Sequence, residues 1–335
     1  MKLSIILVNY KTRALLMDCL EGLYKHTGGC DFEVIVVDND SGDSIGDLLR
    51  VRFPGSIFLQ MGYNAGFARA NNAAIRIAKG DAFLLLNSDT LIRDNAIGNT
   101  VNKLLASPCY VAAGVQLLNE DGSPQISGNY AMKGGLNYLL PLPYIGKFLR
   151  GIAFLLKVKK PNVPDASTLV EVDWINGAFL MVKKTAVDKA GLLDEDFFLY
   201  AEEAEWCSRI KKAGRLCIDG EEHVVHLQGS SANDAFESAG KGYFNLFDRK
   251  GLQIMLSNFV RIRKQFGLAW FFFDLLCYVI TIPVFFLGVL IERIIRGKKA
   301  TFSFKQLAGF SSNMVSLLKY TATIVANKPH FYKVL

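Results

Sequence analysis

The N-terminal third of the chain switches repeatedly between two hydrophobic periods, and that alternation narrows the fold more than any other feature. Residues 3–8, 33–38, 56–60 and 82–86 are apolar runs of strand length. Between them, residues 13–24 and 68–78 carry apolar side chains at helical spacing. Parallel strands need long crossovers, usually helices, so this alternation predicts a mostly parallel sheet covered by helices on both faces. Such sheets bind ligands beyond the carboxyl ends of their strands. Asn9, Asp38 and Asp89 all fall at strand ends, which gathers the candidate chemistry on one edge.

Further along, residues 170–174 read as a strand leading into Ile175-Asn176-Gly177-Ala178-Phe179-Leu180-Met181-Val182. Residues 203–212 read as a helix ending near Ala213-Gly214, and 216–218 and 223–226 as two more strands. Over 130–168 the pattern breaks, punctuated by Gly134, Gly135, Pro141, Pro143, Pro161 and Pro164. Inside that variable segment, residues 147–160 alternate basic and bulky apolar side chains. The alternation suits a mobile loop, a helix lying on a membrane, or a surface helix docked on the core.

The net charge of +7 conceals a split. Residues 250–335 hold 12 Lys or Arg against two acids, Asp274 and Glu292, while residues 1–249 are net −3. A basic tail can serve nucleic acid, but this one is also the most apolar part of the chain. Cationic and apolar character together favour an anionic membrane surface over a polynucleotide, so no nucleic-acid partner is expected. Residues 267–291 are long enough to cross a bilayer, which takes about 20 apolar residues, yet Asp274 and Pro283 interrupt them. Arg261, Arg263 and Lys264 flank one end, and Arg293, Arg296, Lys298 and Lys299 the other. A single span usually carries its positive bias on one side. Bases at both ends favour one or two helices lying in, or re-entering, one leaflet, with a core or subunit-contact helix as the bland alternative.

Cys19, Cys30, Cys109, Cys207, Cys217 and Cys277 are scattered without a C-x-x-C pair, giving neither a zinc pattern nor a disulfide framework. The N-terminal apolar run ends at Asn9-Tyr10, short of a signal-peptide core, and reads as a first strand. A peripheral or monotopic protein on the cytoplasmic face of the cell membrane is therefore expected.

Five motifs follow one another along the chain. They are Val36-Val37-Asp38-Asn39, then Asn64-Ala65-Gly66-Phe67, then Leu84-Leu85-Leu86-Asn87-Ser88-Asp89. Next comes Phe197-Phe198-Leu199-Tyr200-Ala201-Glu202-Glu203-Ala204-Glu205, and last Val224-Val225-His226 followed by Gly229-Ser230-Ser231. Acids at strand ends, a second acidic cluster and a late histidine suit metal-assisted transfer from a nucleotide-activated donor. In order and spacing, over roughly residues 1–235, they resemble the family 2 glycosyltransferases, particularly the rhamnosyltransferase-like branch.

That resemblance implies an α/β fold of GT-A type, a Rossmann-like sheet flanked by helices, with a basic apolar helical tail. Residues 1–240 would form the glycosyltransferase domain, with 1–110 as its nucleotide-binding half and 111–240 as its acceptor half. Residues 241–335 would form a membrane-associating region. The implied reaction is inverting transfer from dTDP-rhamnose or a UDP-hexose to a lipid-linked saccharide in surface polysaccharide synthesis. Asp89, closing a D-x-D-like triplet whose first position is Asn87, would bind Mg²⁺ or Mn²⁺, and His226 would be a second ligand. Leu227-Gln228 replaces the family's more usual His-Gly beside it. Asn9, Asp38, Asn64, Gly66, Asn72 and Asp89 would contact the donor, and Trp174, Gly177 and Ala178 would lie beneath acceptor and sugar. The family's base is the aspartate of a Glu-Asp pair. Here the aligned residue is Glu203, with Glu202 and Glu205 as alternatives.

Two rival readings remain. One is a membrane-bound protein that keeps the fold, has lost catalysis, and binds a sugar or a partner. The other is a nucleotidyltransferase, but Val8-Asn9-Tyr10-Lys11-Thr12-Arg13 lacks the glycine- and base-rich signature that holds a triphosphate. Oligomeric state stays open, a homodimer through tail packing included.

Overall fold

The computed structural model describes residues 2–130, 134–158, 160–227, 236, 238 and 244–335. The chain divides into two compact units. The first comprises Met1–Met132, Pro161–Phe198 and Glu202–Ser231; the second comprises Lys133–Lys160, Leu199–Ala201 and Ala232–Leu335.

The first unit is built on strands β1 (Leu3–Asn9), β2 (Phe32–Asp38), β3 (Ile57–Gln60), β4 (Ala82–Asn87), β5 (Thr90–Leu91) and β6 (Tyr110–Leu118). It continues with β7 (Gly128–Asn129), β8 (Asn162–Val163), β9 (Leu169–Val172), β10 (Trp174–Ile175), β11 (Phe179–Lys183) and β12 (Arg215–His226). The main sheet runs β3-β2-β1-β4-β11-β6-β12-β5, with β9 also pairing with β12, and β10-β7-β8 form a small separate sheet. β3, β2, β1 and β4 are mutually parallel, as are β6 and β12, while β11 lies antiparallel between the two groups.

The near-continuous apolar runs of β1, β2 and β4 follow from burial on both faces. Leu3, Ile5 and Leu7 enter one core with Leu16, Leu20 and Leu23 of helix Arg13–His26. Ile6, Ile35 and Val37 enter the other with Ala68, Ala70 and Ala74 of helix Gly66–Ile75. Strand period two thus sorts one sequence into two cores, each fully buried Leu or Ile stabilising by roughly 1.5–3 kcal/mol. The two runs expected at 216–218 and 223–226 are one strand, β12, whose register shifts between Asp219 and His223. That bulge absorbs the polar Gly220-Glu221-Glu222 without ending the strand.

The second unit is helical: Ile145–Leu155, Arg249–Arg261, Leu268–Arg296 and Phe304–Ala326, with a short 3₁₀ turn at Gly135–Leu139. The apolar stretch at 267–291 forms a single helix that continues through Pro283. Phe259, Phe271, Tyr278, Phe285 and Phe310 form an aromatic core, with Phe259 edge-on to Phe271 and Tyr278 at centroid distances of 5.4 and 5.1 Å. Ser303 caps the last helix through a reciprocal box with Gln306, and Asn327 closes it at a φ of 51°.

Candidate active site

Strand register sets the site. Asn9 lies opposite Asp38, and Val8 opposite Asn87, so β1, β2 and β4 end level with one another. Asn9 is wholly buried, and its amide binds the loops that leave those ends. Nδ2 donates to Asp38 Oδ1 at 2.9 Å, to Ser41 Oγ at 2.9 Å and to Asp43 Oδ2 at 3.2 Å. Oδ1 accepts from the Thr12 hydroxyl at 3.0 Å, and that hydroxyl meets Ser88 Oγ at 2.9 Å. Asp38 Oδ2 accepts from the Ser41 N–H at 3.1 Å. Lys11 and Asp40, in the loops after β1 and β2, hold left-handed φ values of 59° and 67°, a conformation that costs non-glycine residues energy and clusters at functional sites.

Asn39 links β2 to the Asn64 segment. Its Oδ1 accepts from the Ala65 N–H at 2.8 Å, and its Nδ2 donates to Asn64 Oδ1 and to the Gly66 carbonyl, both at 3.2 Å. Gly66 has a φ of 73°, and a β-carbon there would lie 2.2 Å from the Phe198 carbonyl oxygen. That carbonyl accepts from the Phe67 N–H at 2.9 Å, so the glycine lets the second motif close directly onto the fourth. Asn72, buried on the same helix, donates to the Leu193 carbonyl at 2.8 Å and to Glu195 Oε1 at 3.1 Å, and accepts from the Leu193 N–H at 3.0 Å. Its amide is spent on the 193–195 turn that leads to the acidic cluster.

Helix Glu202–Ile210 opens with Glu202, Glu203 and Glu205, all buried. Acids in a first helical turn complement the helix dipole, but their environments differ. Glu205 accepts a forked pair from Arg209, Nε to Oε1 and Nη2 to Oε2, each at 2.7 Å. Glu203 instead lies against Gly177, where an added β-carbon would be 3.4 Å from Glu203 Cγ and 3.9 Å from Phe67 Cζ. The two residues before the helix, Tyr200 and Ala201, are both left-handed, at φ 73° and 68°. Non-glycine residues in this conformation cost of order 1–3 kcal/mol each.

Gly177-Ala178 also touches β4: the Asn87 N–H donates to the Ala178 carbonyl at 3.0 Å, and Ala178 N–H to Asn176 Oδ1, also at 3.0 Å. Trp174, in β10, has a buried Nε1 without a hydrogen-bond partner among the described residues.

Asp89 and His226 meet because β12 pairs antiparallel with β5, His226 opposite Thr90. The Leu227 N–H donates to the Asp89 carbonyl at 2.9 Å, and His226 Nε2 stands 3.4 Å from Asp89 Oδ1. The tautomer follows from Gln125. Its Nε2 donates to the His226 carbonyl at 2.6 Å and to Asn119 Oδ1 at 2.8 Å, so its Oε1 is the atom 3.1 Å from His226 Nδ1. A carbonyl oxygen only accepts, so Nδ1 carries a proton, and Nε2 faces Asp89 and, at 3.5 Å, Asn87 Nδ2. A carboxylate oxygen and an imidazole nitrogen that converge, with the other ring nitrogen tied back, form a donor set suited to a divalent cation. Among the described residues no group of three His, Cys, Asp or Glu could hold a metal. The Gly229-Ser230-Ser231 stretch lies outside the described residues.

Residues 4–167 match the model of glycosyl transferase family 2. The chain carries a family 2 glycosyltransferase domain. It is 28% identical over 215 residues to the low-salt glycan biosynthesis hexosyltransferase of Haloferax volcanii, covering 63% of this chain and 62% of that protein. To the rhamnosyltransferase WbbL of Escherichia coli K12 it is 24% identical over 249 residues, covering 70% and 89%. To the N-acetylglucosaminyl-diphospho-decaprenol L-rhamnosyltransferase of Mycobacterium tuberculosis it is 25% identical over 199 residues, covering 55% and 62%. Among solved structures, a mannosyltransferase from Pyrobaculum calidifontis in complex with GDP-Man and Mn²⁺ matches 97% of the chain and 84% of its own, at TM-score 0.53 and 16% identity. Staphylococcus aureus TarS 1-349 in complex with UDP-GlcNAc matches 95% and 81%, at TM-score 0.51 and 15% identity. The fold is GT-A.

Within this glycosyltransferase domain, contacts join four of the five motifs and the start of the fifth into one rim. Asn9, Asp38, Asn64, Gly66, Glu203, Gly177, Ala178, Asp89 and His226 each touch another member or its immediate neighbour. Sequence reading did not single out Gln125 or the linking role of Asn39. No local pattern announces Gln125, because its partner His226 lies 101 residues away.

Proposed function

We propose that the chain is an inverting, metal-dependent glycosyltransferase that moves a hexosyl or rhamnosyl group from a nucleoside diphosphate sugar to a lipid-linked saccharide. The observation that carries the reading is the convergence of Asp89 Oδ1 and His226 Nε2 at 3.4 Å, on the same edge as Asp38 and Glu203. Asp89 and His226 would hold Mg²⁺ or Mn²⁺; the oxygen and imidazole set suits either, and the bound Mn²⁺ of the Pyrobaculum neighbour makes Mn²⁺ the first to try. When bound, the cation would offset charge on the departing diphosphate.

In this reading Asp38 accepts hydrogen bonds from the base or ribose, and the Asn64–Gly66 turn brings backbone close to the donor. Glu203 takes the proton of the acceptor hydroxyl as that oxygen bonds the sugar's anomeric carbon. The carbon–oxygen bond to the diphosphate breaks with its electron pair, and configuration inverts. Glu205 is poorly suited to be the base, because Arg209 occupies both its oxygens. A lipid-linked acceptor is supported by the name of the mycobacterial relative, which acts on a diphospho-decaprenol.

The test is donor binding and transfer by the purified chain across a panel of nucleotide sugars, with Mn²⁺, Mg²⁺ or EDTA. One donor should bind only with cation, Asp89→Asn should abolish that dependence, and Glu203→Gln should keep binding while losing transfer. Binding of no donor under any condition would replace this reading with a non-catalytic sugar- or partner-binding protein.

A further inference from the structure

The helical unit carries more exposed apolar surface than a water-facing unit needs, and that surface is ordered. Helix Leu268–Arg296 is long and apolar enough to cross a membrane, but its two sides differ. Phe271, Asp274, Tyr278, Thr281, Phe285 and Val289 form a buried stripe along its whole length. Opposite runs a second apolar stripe, exposed, through Phe272, Leu276, Val279, Phe286, Leu290 and Ile294. Helix Ile145–Leu155 is more extreme, since Gly146 is its only buried residue. Phe154 and Leu155 are 83% and 78% exposed, and Phe148 is exposed as well. A helix of 11 residues is below the roughly 12–15 that hold together in water without tertiary support. Something must cover this one.

The two helices meet within this unit. The Tyr144 hydroxyl, at the start of the short helix, donates to Glu292 Oε2 at 2.8 Å, and its ring lies against Gly288. Cations line the apolar surface: Lys147, Arg150 and Lys157 by the short helix, Arg293 and Arg296 at the end of the long one. Apolar stripes bordered by bases match an anionic bilayer surface, with side chains in the acyl boundary and cations among the headgroups.

We infer that helices Ile145–Leu155 and Leu268–Arg296 form an in-plane docking face for an anionic lipid bilayer, and that the long helix lies along one leaflet without crossing it. The buried stripe decides between lying and spanning. Were the helix to span, its packed partners would enter the hydrocarbon too. Those include the irregular backbone of 134–144, with Gly134 against Trp270 and Gly135 against Asp274, and lipid-exposed irregular backbone is not tolerated there. The helix is also about 43 Å long at 1.5 Å per residue, against a hydrocarbon core of about 30 Å. This docking goes beyond the transferase reading and stands without it.

The experiment is flotation of the purified full-length chain with phosphatidylcholine vesicles, with and without phosphatidylglycerol. The native chain should float with the anionic vesicles. Phe154→Asp with Leu155→Asp, and separately Lys147→Glu with Arg150→Glu, should weaken that binding roughly tenfold or more at unchanged melting temperature. Spin labels on Phe272→Cys, Ile280→Cys and Ile291→Cys should report one common shallow depth. A graded depth across the bilayer would overturn the in-plane geometry in favour of a span. Failure to float with any vesicle would overturn docking altogether. So would a soluble homodimer that dissociates on Phe154→Asp, which would make the face a contact between copies. Donor binding is read separately and does not enter these outcomes.

Discussion

His226 owes its tautomer to Gln125, and the pairing carries a testable cost. With Gln125→Leu the Nδ1 proton loses its acceptor and the ring is free to turn Nε2 away from Asp89. Removing such an outer partner typically weakens metal binding by about 10–100-fold. Titration of Mn²⁺-dependent donor binding should show that loss, with the cation requirement moved to higher concentration and saturating activity largely retained. Glu205 and Glu203 separate along another axis. Glu205→Gln breaks a buried forked pair with Arg209, which should appear as a lower melting temperature. Glu203→Gln should instead cut turnover by about 10²–10⁴-fold, the usual contribution of a general base, with melting unchanged. Reversal of those two phenotypes would transfer the base role to Glu205. At this scale the sequence is a good guide to where acids fall at strand ends, as at Asp38 and Asp89. It is a poor guide to supporting amides such as Asn39 and Gln125, whose partners are assembled only by strand pairing.

Elements show the same division. β1, β2, β3 and β4 fall within a residue or so of the apolar runs that announce them, because burial on both faces leaves little room for polar interruption. Helices Ile45–Arg52 and Ala96–Ala106 and strand β6 carry weaker signals, being short, or mixed with glycine and polar residues such as Gly114 and Gln116. The long apolar helix was legible as apolar but not as one piece, since Asp274 and Pro283 argue locally for a break. Tertiary packing overrides both. Asp274 is wholly buried, neither carboxylate oxygen has a hydrogen-bond partner among the described residues, and burial pushes its pKa up to about 7. An acid whose folded value is raised holds a proton that the unfolded chain has released, so stability falls as pH climbs from about 4 towards 7. Asp274→Asn should therefore raise the melting temperature by a few degrees at pH 8 and change it little at pH 4, measured in one detergent buffer. An equal shift at both pH values would mean that the carboxyl is not the group being titrated.

Charge divides the whole chain: residues 1–249 are net −3, and residues 250–335 are net +10. In the proposed reading the GT-A unit uses acids at its strand ends for a cation and a base, while the helical unit uses cations for an anionic surface. Each composition would impair the other's task, because a strongly basic catalytic edge would compete for the donor diphosphate without a cation. If docking brings the chain to a lipid-linked acceptor, its effect is to raise local acceptor concentration in two dimensions rather than to alter the chemistry. Phe154→Asp with Leu155→Asp should then raise the apparent KM for a polyprenyl-linked acceptor in anionic vesicles by roughly the factor lost in vesicle binding, about tenfold. Transfer to a water-soluble acceptor with a truncated lipid should be unchanged in both kcat and KM, as should donor binding. High salt should imitate the variant on the vesicle-borne acceptor, because it screens the cations. Equal losses on soluble and vesicle-borne acceptors would show that the apolar face supports the fold of the active site rather than its address, and would separate docking from catalysis in a single set of rates.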